Sequence, residues 1–134
     1  DYDNAQVYLK KALVVFEKFQ NKDYLTTLSL LDDICYAFQD YASSSEYKNK
    51  MADYYLQNDG EDAGNYVSTL FDLSWCYYLA NDYQHAYDVG KKVLERTAHV
   101  YGTSSVGYGK AANSMVAYCT ALNKLNEIKK IVKG

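Results

Sequence analysis

Thr69-Leu70-Phe71-Asp72-Leu73-Ser74-Trp75-Cys76-Tyr77, followed closely by Asn81-Asp82-Tyr83-Gln84-His85-Ala86, is the stretch that decides the fold. Its pieces recur at a fixed spacing. Tyr24, Tyr66 and Tyr108 stand 42 residues apart, and the segments after them keep register. Thr27-Leu28 matches Thr69-Leu70, and Leu31, Leu73 and Met115 coincide. So do Asp40-Tyr41 with Asp82-Tyr83, and Gly60 with Gly102. Lys10-Lys11-Ala12-Leu13 echoes Lys91-Lys92-Val93-Leu94 a little short of two repeats, as a shorter intervening loop would produce. A fixed period of this size marks a stack of supersecondary units, each burying its apolar face only against its neighbours.

Within each unit the period is helical. Ala5, Leu9, Ala12, Leu13 and Phe16 form one stripe, and Tyr83, Ala86, Gly90, Val93, Leu94, Thr97 and Tyr101 another. Ser43 with Glu46 reads as a capping box, Asp82 as an N-cap, and Thr103, Ser104 and Ser105 offer caps for the helix that follows. Proline is absent from the chain, so interruptions between helices should be brief. The spacing predicts helices at 4–19, 23–40, 45–57, 63–81, 83–100 and 106–122, with a tail at 125–133. The connections Gln39-Asp40-Tyr41, Asn81-Asp82-Tyr83 and Asn123-Lys124-Leu125 are tight and predict antiparallel hairpins. The expected fold is all-α: one domain, residues 1–134, of about three stacked hairpins forming a right-handed α-solenoid.

On these residues the chain resembles the tetratricopeptide repeat (TPR), most nearly the 42-residue variant of kinesin light chains. The pattern of apolar residue, Leu, small residue and Tyr on a first helix, then Gly, aromatic residue and Ala at the turn and second helix, falls on Leu70, Leu73, Ser74, Tyr77, Asn81, Tyr83 and Ala86. The preceding unit reads Leu28, Leu31, Asp32, Cys35, Gln39, Tyr41 and Ser44; the following one reads Ala112, Met115, Val116, Cys119, Asn123, Leu125 and Ile128. Asp32 replaces the small residue, which should loosen that hairpin. Gly90 replaces the usual aromatic residue of the second helix, and the closing proline is missing. Neither end has the polar face of a solenoid cap, so the sequence is expected to be a fragment of a longer protein.

Composition narrows the functions. Hydrophobic residues make up 49% and charged residues 23%, with a net charge of -3, a globular profile without the basic face that binding to phosphates requires. Direct binding of nucleic acid is therefore not expected. Lys129, Lys130 and Lys133 read as a solvated helix face. No apolar run reaches the roughly 18 residues of a membrane span. The opening Asp1-Tyr2-Asp3-Asn4 is not a signal peptide, which says little about compartment; the setting stays open, with an intracellular one slightly favoured over a periplasmic one. The 16 tyrosines fall mostly at helix-periodic positions and read as packing residues with their hydroxyls at the layer edge. Cys35, Cys76 and Cys119 are about one repeat apart, too far for disulfides, and read as buried core thiols. His85 and His99 are separated by about 20 Å along one helix, too far to share a metal. Neighbouring carboxylates such as Asp32-Asp33 point about 100° apart on a helix and cannot face one substrate. With no phosphate loop or nucleophile elbow either, the expectation is a non-enzyme without metal or cofactor.

The family resemblance implies a concave groove lined by the first helices of the hairpins. Carried over by position, the groove residues are Ser29, Asp33 and Tyr36 in one unit, then Phe71, Trp75 and Tyr78, then Lys110, Asn113 and Ala117. The middle trio is spaced i, i+4, i+7 on a face apart from Leu70, Leu73 and Tyr77; it reads either as contact anchors, Trp75 foremost, or as packing against a neighbouring hairpin or domain. The expected function is a protein-interaction scaffold holding a peptide or partner helix of apolar or aromatic character. The alternative is an input or dimerisation segment of a larger bacterial signalling protein, a sensor kinase or transcriptional regulator. Apolar faces at both ends would support a homodimer.

Overall fold

A computed structural model of the chain describes residues 1–123 and 125–133, excepting the side chains of residues 125–128. Among the described residues seven helices follow one another: α1 (Tyr2–Phe16), α2 (Lys22–Ala37), α3 (Tyr41–Asp59), α4 (Gly64–Leu79), α5 (Tyr83–Tyr101), α6 (Val106–Ala121) and α7 (Leu125–Lys133). Each packs on the next in sequence, and α4 also touches α6. The result is an all-α solenoid of stacked hairpins. Among the described residues, no helix is long and apolar enough to cross a membrane.

The hairpin turns repeat in atomic detail. After α2, Gln39 takes a left-handed φ of 62° while the Asp40 amide donates to the Cys35 carbonyl at 2.8 Å. After α4, Asn81 has φ 63° and the Asp82 amide donates to Tyr77 at 2.9 Å. The left-handed residue lets the chain reverse while satisfying carbonyls that the helix end leaves free. The next helix begins at once: Asp40 accepts from the Ser43 amide, and Asp82 from that of His85. This corrects the capping box expected at Ser43. The turn is so short that Asp40 already stands at the N-cap, and Ser43 lies inside the first turn of α3. Ser105 caps α6 by accepting from the Tyr108 amide. The third turn includes Lys124, and the matches at Leu125 and Ile128 concern side chains, all outside the described residues.

The longer links need glycine. Gly60 and Gly102 end α3 and α5 with φ 91° and 87° and ψ 168° and 162°, a region that a Cβ excludes. The first helix starts two residues earlier than predicted, where Asp1 caps it by accepting from the Asp3 amide, and ends three earlier, ahead of the left-handed Gln20, φ 49°.

Among the described residues three apolar clusters hold the stack. Leu13, Tyr24, Leu28 and Leu31 join α1 and α2. Ala52, Tyr66, Val67, Leu70, Leu73, Val93 and Ala111 run from α3 to α6. Ala86, Tyr87, Met115, Tyr118 and Cys119 join α5 and α6. Leu28 and Leu31 are fully buried, each worth about 1.5–3 kcal/mol by removal from water. Cys35, Cys76 and Cys119 are free buried thiols. Burial raises the pKa of Cys35 and Cys76, which suits packing rather than nucleophilic chemistry.

Asp32 does not loosen its hairpin. It is buried, accepts from the Ser44 hydroxyl, and pairs with Lys48 Nζ at 2.6 Å. Ser44 stands at the repeat position that Ala86 fills in the next unit, so the polar pair Asp32 and Ser44 replaces a contact between small residues. With its oxygens engaged, the carboxylate sits at the helix junction without an unmet hydrogen bond.

Candidate functional site

The first helices of the hairpins, α2, α4 and α6, carry the residues expected to bind. Among the described residues α2 and α4 do not meet directly. Between them lies a hollow of about 340 Å³, lined by Asp33, Tyr36 and Ala37 of α2, Lys48 of α3, and Asp72 and Trp75 of α4. A second hollow of about 280 Å³ lies between α4, α5 and α6, lined by Val67, Phe71, Val93, Tyr101 and Lys110 among others. Asp72 lines both.

The first hollow therefore gathers Asp33, Tyr36 and Trp75 from two repeats. Tyr36 is 42% exposed and Trp75 38%, high for large aromatic side chains on ordered helices. Each is held in place. The Tyr36 ring meets Tyr41 edge to face at 5.3 Å and lies 5.4 Å from the Lys48 ammonium. The Trp75 indole stacks on Tyr78, centroids 5.1 Å apart. Rings fixed in this way lose little conformational entropy when a partner covers them.

Phe71 is half-buried against the central core cluster and faces the second hollow, as does the exposed Lys110. Tyr78 is half-buried, packed 5.5 Å from both Tyr83 and Tyr118, and supports Trp75 from behind. Asn113 is exposed on α6 and lines neither hollow. Ala117 packs into the last core cluster, and Ser29 lies with Leu25, Leu30, Met51 and Tyr55 in a separate depression between α2 and α3. The structure thus brings Asp33, Tyr36 and Trp75 together, and Phe71 with Lys110.

Two charged residues lining the first hollow, Lys48 and Asp72, escaped sequence reasoning. Lys48 belongs to a second helix, whereas the groove positions that the resemblance implies lie on first helices. Its side chain reaches inward because Asp32 draws it there. Asp72 was detectable, since it precedes Trp75 by three residues and so shares its face.

The electrostatics of the first hollow are lopsided. Lys48 is mostly buried, and its charge is matched by Asp32. Among the described residues neither Asp33 nor Asp72 has an ion-pair partner. The Asp72 carboxyl is held above its ordinary pKa, chiefly by desolvation; Lys48 opposes the shift and Asp32 adds to it.

No family model and no curated protein sequence matches the chain. Its structure is similar to the crystal structure of BtubC (BKLC) from P. vanneervenii, with a TM-score of 0.76 and 15% sequence identity over 98% of this chain and 54% of that one. The chain spans about half the length of that protein. BtubC is a kinesin light chain-like protein of the TPR type, and the fold seen here is TPR-like in the same manner.

Proposed function

We propose, on the premise of this TPR-like fold, that the chain is a non-catalytic protein-interaction module. It holds a peptide or partner helix along α2, α4 and α6, with Tyr36 and Trp75 as anchors in the first hollow and Phe71 in the second. One observation carries the reading. Residues from successive repeats, Tyr36 and Trp75, present ring surface to one hollow although each is fixed by a neighbouring ring. Aromatic side chains kept rigid and part-exposed beside a concavity have the character of binding hot spots, where a few residues carry most of the affinity. The two hollows, about 340 and 280 Å³ and both bordered by Asp72, suit a few side chains of an extended or helical segment.

The test uses the single tryptophan, whose selectively excited fluorescence reports the first hollow. Peptides panned from a random display library on the chain should shift or quench Trp75 emission saturably. Trp75→Ala should lose capture of the same peptides while keeping its helical circular dichroism. Trp75-independent capture, or no capture, would refute the assignment.

A further inference from the structure

The lining of the first hollow specifies more than an apolar guest. Its lining combines two aromatic side chains, Trp75 and Tyr36, with two acidic ones, Asp33 and Asp72. Among the described residues the one cation lining it, Lys48, is committed to Asp32 at 2.6 Å and is mostly buried. Once that pair is cancelled, two negative charges remain facing a space between two aromatic rings. An acidic or purely aliphatic guest would leave those carboxylates facing a partner without compensation, at a desolvation cost. A cationic guest satisfies both elements of the site.

We infer that the first hollow receives a basic side chain of the partner polypeptide, an arginine lying against the Trp75 indole with its guanidinium directed to Asp33 and Asp72. A planar guanidinium can stack on an aromatic face and present paired N–H donors to carboxylates at its edge, whereas an ammonium cannot do both. Lys48 fits the scheme from the other side. Its ammonium already lies 5.4 Å from the Tyr36 ring centroid, which leaves the Trp75 face not stacked on Tyr78 to receive a guest. The second hollow, with Phe71, Val67 and Val93, would then take an apolar residue of the same segment, and Lys110 at its edge would favour an acidic or polar one beyond it. The partner segment implied is thus basic at one point and apolar at the next.

This inference rests on the groove reading above, and its experiment separates the two. Peptides selected from the random library are compared with versions in which each arginine is replaced by citrulline, a neutral isostere. Selected binders should share an arginine, and citrulline at that position should weaken binding at least tenfold. The double variant Asp33→Asn/Asp72→Asn should weaken the arginine peptide by a similar factor and the citrulline peptide hardly at all, while Asp59→Asn, remote from the hollow, changes neither. Binders that depend on Trp75 but lack a basic residue, or that ignore the double variant, would overturn the arginine assignment and leave the groove intact. Absence of any saturable binder would overturn both. Circular dichroism and the unfolding midpoint of the double variant establish that it is folded.

Discussion

The Tyr118 ring fills the space that a side chain at Gly90 would need: a Cβ there would lie 2.8 Å from Tyr118 Cε2 and 2.8 Å from Met115 Sδ. The hydroxyl end of the same ring is hydrogen-bonded to Ser74 at 2.9 Å. One repeat earlier, the residues at these positions are Lys48 for Gly90, Cys76 for Tyr118 and Asp32 for Ser74. There the long side chain comes from the second helix and the small residue from the following first helix. In both junctions a long side chain brings a polar tip to the small-residue position of the first helix, Lys48 to Asp32 and Tyr118 to Ser74. The departures at Gly90 and Asp32 are two complementary ways of filling one junction.

Gly90→Ala tests the later junction. Alanine would gain about 1 kcal/mol of helix propensity over glycine. Met115 can yield, but the Tyr118 ring is fully buried and tethered at its hydroxyl, so the overpacking cost of about 1–3 kcal/mol should prevail. The expected result is a lower urea midpoint with an unchanged slope. On a Tyr118→Leu background the same substitution should cost less, since the two sites share one volume.

The earlier junction should respond asymmetrically. Lys48→Met leaves the Asp32 carboxylate buried with only Ser44, and should destabilise the chain by about 3 kcal/mol. Asp32→Ser, the residue found at the equivalent Ser74, leaves an ammonium on a long stem that can swing to water, and should cost distinctly less. Urea unfolding of both single variants and the double variant measures the coupling. Equal losses from the two single changes would mean that burial of the acid does not govern this junction.

The left-handed turns offer a gain. Gln39 adopts φ 62° with a Cβ, a conformation that costs most residues about 1–2 kcal/mol, offset in part by the extra freedom glycine has when unfolded. Gln39→Gly should therefore raise stability by about 0.5–1 kcal/mol. Gly60→Ala should do the opposite by more than that, although a Cβ at Gly60 meets nothing within 4 Å, because the backbone conformation itself is the obstacle. Thermal midpoints of the two variants should move in opposite directions.

The order of the helices was legible because caps and periodicity are local signals: Asp82 and Ser105 cap the helices assigned to them. What lay across a repeat junction was not. Gly90 is a departure in its own helix and acquires its reason only from Tyr118, and Asp32 acquires its reason from Ser44 and Lys48. The same holds in the candidate site. The spacing of Phe71, Trp75 and Tyr78 marks one helix face, but packing on Tyr118 and Tyr83 sets Tyr78 behind Trp75, and the core takes part of Phe71. Lys48 could not be read from its own helix at all, since only its ion pair with Asp32 turns it toward the hollow.

Asp72 couples stability to binding through pH. Its carboxyl is raised above the ordinary value mainly by desolvation, against the opposing effect of Lys48 and with the added effect of Asp32; Asp33 lines the same hollow. The folded chain thus retains this proton to a higher pH than the unfolded chain does. Between the unfolded pKa and the folded one, stability falls as pH rises; above that interval the penalty is complete, and below it absent. Asp72→Asn should therefore stabilise the chain at neutral pH, by no more than about 0.5 kcal/mol because solvent still reaches the group, and should make no difference near pH 3, below the ordinary carboxylate value of about 4. The same change should weaken binding of an arginine peptide at neutral pH. A substitution that stabilises the fold while removing affinity identifies a residue kept for its partner rather than for its own structure. Thermal melts of both proteins at neutral and acid pH, beside Trp75 titrations at neutral pH, measure the two effects. A loss of stability at neutral pH would show instead that Asp72 supports the fold through Lys48.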